Sequence, residues 1–389
     1  MHTKFYAYFA PLMNIILQKP LRSGKMNKIF KYIITFCILF LTLSLVAFPQ
    51  PCLDAAQAAV ELCLSTVIPS LFPFFVCSGI FTALGLARLC SRTLSPLMRP
   101  LFNLPGSGAL AFVLGIVSGY PLGAACAADL FRCGECTREE AERMTAFCNN
   151  SGPLFVIGVI GCGIMKTPKV GYYLYAAQIL AALMTGIVFR FYKSAKSQHT
   201  APELPPSPSV SVKSATAAVG IAVDNAVSSI LKVCAFVILF SVAAATLPQT
   251  NLTPFIYALM EITGGINAVA AVNIDFVLKM ALISFFLTLS GISVIFQVSS
   301  VICPHGMSLV PYILGKLISA VFAFGIAYFL FTYFPITEDA FSSGAELVKT
   351  AFSPLSVFTA SAASIFFGGV ICMLLAAIPS AAKYLKISR

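Results

Sequence analysis

Apolar residues along the chain come in runs of about 20, the length of one helical membrane crossing, set apart by short polar, proline-rich or glycine-rich stretches. The first run covers 29–48 and the second 57–86, which carries Pro69 and Pro73. A third, 105–131, is broken at Ser118-Gly119-Tyr120-Pro121. A short charged helix is predicted over 137–147, where Thr137 and Glu140 have the spacing of a capping box. The run at 149–165 opens with Asn149-Asn150-Ser151-Gly152-Pro153, and another follows at 170–192. After a Pro/Ser-rich stretch the pattern restarts with runs at 215–246, 254–273, 276–303 and 308–334. Within these, Thr263-Gly264-Gly265 and Ser290-Gly291-Ile292-Ser293 are further breaks. A weakly acidic segment, 336–356, leads to a last predicted helix at 357–382.

The restart reads as an internal repeat. Ala59-Val60-Glu61 matches Ala222-Val223-Asp224 at an offset of 163, and Ser151-Gly152 through Tyr173 matches Ser290-Gly291 through Tyr312 at an offset of 139. The chain divides into an N-terminal extension and first helix (1–56), a first repeat (57–193), a cytoplasmic linker (194–214), a second repeat (215–335) and an extracytoplasmic segment with a C-terminal helix (336–389). The expected fold class is an all-α polytopic membrane protein with about eight transmembrane helices and two re-entrant hairpins in an inverted repeat. The arms of 105–131 and of 254–273 are too short to cross a hydrocarbon core of about 30 Å.

Composition narrows the class. The chain has 389 residues, 59% of them apolar and 10% charged, against roughly a quarter charged in soluble domains. A soluble globule and a disordered chain are both excluded. Net charge is +11, and 19 of the 25 Lys and Arg residues fall on segments that the topology assigns to the cytoplasm. The charge therefore records orientation, with both termini cytoplasmic, and no nucleic-acid partner is called for. The 13 cysteines form no disulfide framework. The apolar run 29–48 is longer than a signal-peptide core, and either Met1 or Met26 can serve as the start.

Broken helices at matching positions of two inverted halves point to a solute site near the membrane midplane. Glycine at a break allows close approach, and the adjoining hydroxyl or amide can hydrogen-bond a solute. The alternative is that each break is a kink or a packing contact. The candidate substrate-binding residues are Ser118, Gly119, Tyr120, Pro121, Asn149, Asn150, Ser151, Gly152, Glu261, Thr263, Gly264, Ser290, Gly291, Ser293 and Gln297. Lys232, near the centre of its run, joins them as an intramembrane cation able to face an anion. Lys316 reads instead as a side chain that snorkels to the interface. Asp129 is a further intramembrane charge. No catalytic constellation, nucleotide-binding loop, metal site or cofactor motif stands in the chain, so an enzyme is not expected. The partners called for are a small anionic solute and the lipid bilayer, with a homo-oligomer left open.

The motifs Ser118-Gly119-Tyr120-Pro121-Leu122-Gly123-Ala124, Glu139-Glu140-Ala141-Glu142-Arg143 and Phe147-x-Asn149-Asn150-Ser151-Gly152-Pro153-Leu154-Phe155 resemble those of the YlbJ family of sporulation integral membrane proteins. Pro69-Ser70-Leu71-Phe72-Pro73-Phe74, Glu261-Ile262-Thr263-Gly264-Gly265 and Leu289-Ser290-Gly291-Ile292-Ser293-x-x-x-Gln297 are similar to its other signatures. The resemblance spans roughly 57–335. It implies a nucleoside-recognition Gate domain related to concentrative nucleoside transporters. It also implies a sporulation transporter that moves dipicolinic acid, or a similar small anionic metabolite, from the mother cell across the outer forespore membrane. Two alternatives stand beside it: a nucleoside-type solute transporter, and a membrane scaffold in spore assembly that transports nothing.

Overall fold

The computed structural model describes residues 28–83, 86–193, 215–248 and 250–336. The N-terminal extension, the linker at 194–214, and the acidic segment and last helix expected between 337 and 382 lie outside the described residues. Every regular element among the described residues is a helix. The chain forms two compact units, one ending at Pro49 and one beginning at Gln50. The first contains α1 (Lys28–Ala47), whose 20 residues are almost wholly apolar.

The second unit opens with α2 (Pro49–Leu62), a five-residue π turn (Cys63–Val67) and α3 (Ile68–Ala83). A single helix over 57–86 was the expectation. Pro69 and Pro73 lack backbone N–H groups, so the ordinary i→i+4 ladder loses donors there. The wider turn sits just before them. α4 (Leu86–Phe102), with Pro96 and Pro100 inside it, is a further helix that the apolar runs do not predict. Its Leu94, Met98 and Phe102, four residues apart, are buried on one face.

α5 (Gly108–Val117) and α6 (Leu122–Arg132) form the predicted first hairpin, broken over 118–121. α7 (Arg138–Thr145) starts at Thr137, whose side chain accepts from the Glu140 amide while Glu140 accepts from the Thr137 amide. The stretch expected to cross at 149–165 is an 11-residue π-helical segment, Leu154–Ile164. Its Gly161 lies against Gly171 of α8 (Pro168–Phe189), so the two backbones pack directly.

In the second half, α9 (Ala215–Ala245) packs along α3. α10 (Thr253–Met260) and α11 (Ile262–Ala270) form the second hairpin. α12 (Phe276–Leu289) and α13 (Gly291–Ile302) are one apolar stretch broken at Ser290, and α14 (Val310–Tyr333) packs against both α12 and α8. Among the described residues, four stretches are long and apolar enough to cross a bilayer: α8, Val219–Ala245 of α9, Phe276–His305 and α14. Their outer faces carry large exposed apolar side chains such as Leu180, Ile187, Leu239, Leu317, Val321 and Phe329, as lipid contact requires. Two buried apolar clusters fill the interior, one around α6 and α3, the other around α12 and the base of α8. Tyr120 touches both.

Candidate substrate site at the helix breaks

The first break is held open by glycine. Gly119 has φ 96°, a conformation that side chains resist, and Tyr120-Pro121 is cis. A Cβ on Gly119 would stand 2.9 Å from the Gly152 nitrogen, and one on Gly152 would stand 3.0 Å from the Ser118 carbonyl. The breaks at 118–121 and 149–153 are therefore in backbone contact. Gly115 and Gly123, one on each arm of the hairpin, close on the Cys148 carbonyl from two sides.

The second-half breaks meet in the same way. Ser290 (φ 74°) and Gly291 (φ 70°) form a two-residue left-handed joint. The carbonyls of Ala258, Leu259 and Met260 lie 3.3–3.4 Å from where a Cβ on Gly291 would be. The break between α10 and α11 falls at Glu261, not at Gly264-Gly265 as the sequence suggested. The Glu261 carboxylate accepts from the Thr263 and Gly264 amides at 3.0 and 2.8 Å and caps α11, so Thr263, Gly264 and Gly265 lie inside that helix.

α14 ties the two pairs together. The Asn149 amide nitrogen approaches the Tyr312 hydroxyl at 3.4 Å, and the Lys316 ammonium donates to the Asn149 carbonyl. Tyr312 also lies beside Ser290. Gln178 of α8 donates to the Ser151 carbonyl at 2.9 Å, and Tyr120 neighbours Ser151. Gln297 donates to Ser293 at 3.3 Å, one turn further along α13. Asn150 turns back to the Phe147 carbonyl at 2.8 Å and so braces its own break.

Burial without partners marks this region. The side-chain oxygens of Ser118, Tyr120, Asn149, Ser151, Gln178, Thr288, Gln297 and Ser319 are buried and find no hydrogen-bond partner in the protein. Native interiors leave few such groups, because each costs about 1–3 kcal/mol. The Thr167 hydroxyl ahead of α8 is left the same way, and the eight oxygens named above keep hydrogen-bonding capacity open to water or a polar solute.

Lys232 borders the breaks from the α9 side. It is exposed on α9 and lines a crevice of about 10 Å³, room for about one water, with Pro121, Gln297, Ser229 and Ser300. Position on a long apolar run does not say which face a side chain takes. Lys316, read as snorkelling, is 2% exposed. Tyr312, Gln178, Thr288 and Ser319 were missed. The available signal was their placement, since Tyr312, Lys316 and Ser319 share one face of α14 at spacings of four and three. Asp129 is paired with Arg132 at 3.0 Å at the partly exposed end of α6.

Residues 64–189 match the family model described as nucleoside recognition, Gate. Over 335 aligned residues the chain is 30% identical to the sporulation integral membrane protein YlbJ of Bacillus subtilis (strain 168), with 77% of this chain and 82% of that protein covered. The chain belongs to the YlbJ family. No solved structure matches it. In this YlbJ-family chain the Gate match contains both first-half breaks and ends before Tyr312 and Lys316.

A second buried polar group of the YlbJ-family chain centres on α7. Glu142 of α7 accepts from Arg138 at 3.1 Å, Lys193 at 3.0 Å and the Ser308 amide at 2.8 Å. Burial pushes its carboxyl up, but the Ser308 amide, Lys193 and Arg138 outweigh that and hold it below the usual carboxylate range. Arg143 donates to the carbonyls of Tyr192 and Asn103 at 3.0 and 2.8 Å. Burial lowers its pKa from the ordinary value.

Proposed function

We propose that this membrane protein is a sporulation transporter whose solute site is the cluster at the four helix breaks. The observation that carries the reading is the group of eight buried, unpartnered side-chain oxygens gathered from α8, both halves' breaks and α14. A scaffold has no use for unsatisfied polarity in its interior, whereas a carrier needs groups that stay open for cargo.

The finer topology belongs to the same proposal. It has eight crossings, two re-entrant hairpins and an inverted repeat, with both termini cytoplasmic. Support comes from the matching order of elements after Ser151-Gly152 and after Ser290-Gly291. In each half a break leads to a half-length helix, then a residue with positive φ (Lys166, Gly306), then a long apolar helix with a proline in its first turn (Pro168, Pro311). Broken helices facing each other across such a repeat are the common site architecture of secondary carriers.

The cargo we favour is dipicolinic acid, or a small anionic metabolite like it, moved across the outer forespore membrane. The charge sign is supported by the buried lysine at the cluster, and the aromatic Tyr120 and Tyr312 beside it suit a flat ring. We take the protein to be a carrier rather than an enzyme. The Gate match keeps a nucleoside in view as the second cargo. Uptake into proteoliposomes separates the readings. Accumulation of labelled dipicolinate and not of uridine is the expected result. Accumulation of uridine alone makes the cargo a nucleoside, and accumulation of neither by folded protein returns the scaffold.

A further inference from the structure

We propose that Lys316 is the anchor for a carboxylate of the solute, with hydroxyls and amides of both halves completing the site. The inference rests on the carrier reading and adds the residue that selects charge.

Lys316 is 2% exposed and lies two turns into α14. Its ammonium has three N–H donors, and the Asn149 carbonyl accepts one. Ion pairs such as Arg132–Asp129, Arg138–Glu142 and Lys193–Glu142 answer other charges, whereas Lys316 pairs with no carboxylate among the described residues. Removing an ammonium from water costs several kcal/mol unless an anion answers it. Glu261 is the buried acid of the cluster, and both its oxygens are committed to the Thr263 and Gly264 amides. It forms no ion pair with Lys316, and it fills the N-terminus of α11, where an incoming carboxylate would otherwise bind.

The breaks that Lys316 reaches through Asn149 fit a carboxylate. Ser151 lies two residues from Asn149, Tyr120 neighbours Ser151, and the Ser118–Gly119 backbone touches Gly152. The hydroxyls of Ser118, Tyr120 and Ser151 are buried, and each can donate. Tyr312, one turn before Lys316, joins Asn149 to Ser290. An ammonium and hydroxyl donors carried on adjoining breaks can together make a charge-assisted binding set for one carboxylate. A neutral solute would leave the cation unanswered.

The repeat makes the site one-sided. At the offset of 139 that aligns Tyr173 with Tyr312, Lys316 aligns with Ala177, which is fully buried. One half thus supplies the charge, and the other supplies the carbonyl and hydroxyls that face it.

The test uses the full chain in lipid nanodiscs, with thermal unfolding read alone and with dipicolinate, picolinate or uridine. Wild type should be stabilised by dipicolinate and by picolinate, which has one carboxylate. Lys316→Met should unfold at the same temperature as wild type or higher without solute, because an unanswered cation has been removed. Its dipicolinate affinity should fall roughly ten- to a hundredfold, and Lys316→Arg should recover part of the loss. If Lys316→Met keeps the dipicolinate shift, the anchor is wrong and the carrier reading stands. If its unfolding temperature without solute drops by several degrees while Lys316→Arg restores it, the lysine is a structural strut and the anchor is again wrong. If wild type responds to uridine alone or to none of the three, the anionic-carrier reading falls and the anchor with it.

Discussion

Glu142 in α7 and Lys316 in α14 are both almost wholly buried, and the stretches that carry them run side by side. Glu142 accepts from two cations and a backbone amide, so its charge is answered on every side. Lys316 reaches one neutral carbonyl and has unpartnered hydroxyls close by. Burial alone therefore does not tell a structural charge from a functional one. The difference lies in whether the fold itself completes the partners. The first arrangement fixes α7 against the end of α8 and the turn before α14, and the second leaves capacity for something that is not part of the chain.

The comparison breaks most readily at Glu142. Glu142→Leu should destabilise the protein by about 3–5 kcal/mol, the range for stripping one partner from a buried charged network, as read by denaturant unfolding in detergent. A loss below about 1 kcal/mol would mean the network is decorative and the contrast with Lys316 empty. Acid gives the next effect. Because the folded Glu142 carboxyl sits below its ordinary value of about 4.5, its contribution is fully present above that value and is lost as pH falls through the lowered one. Thermal midpoints taken between pH 7 and 3 should stay level in this contribution down to about 4.5 and then fall. Glu142→Gln should remove that acid-side fall, and an unchanged profile in the variant would assign it to another group. The smallest stability change belongs to Ser118→Ala and Ser151→Ala, which should leave stability level or raise it by about 1 kcal/mol, since each removes a buried hydroxyl with no partner to lose. Dipicolinate uptake should nonetheless drop severalfold in both, and full uptake would take those hydroxyls out of the site.

Much of the helical order was legible in the sequence because it depends on local signals. The Thr137–Glu140 capping box and the Gly-Tyr-Pro break of the first hairpin sit where the residues put them. The failures share a different cause. Gly264-Gly265 looks like a helix break, but Glu261 caps the helix just before it and lets the glycines pack inward, with Gly265 against Ala258 of α10. Lys316 read as a side chain that snorkels, and only tertiary packing buries it, while Lys232, an equal charge on an apolar run, stays exposed beside Pro121 and Gln297. α4 went unseen because proline and arginine hid a four-residue apolar spacing that matters only once a core exists to receive it.

The glycine contacts at Cys148 bear on how such a protein moves. Gly115 and Gly123 grip a main-chain carbonyl with no side chain between them, and Gly119 and Gly152 touch backbone to backbone. Surfaces so close cannot slide without first separating, so the first hairpin and the Asn149–Pro153 segment move as a single body. Ser290 and Gly291, two residues wound left-handed between longer right-handed helices, form a joint in the second half. If the proposed carrier opens by turns to each side of a membrane, the first half is the stator and the second carries the pivot.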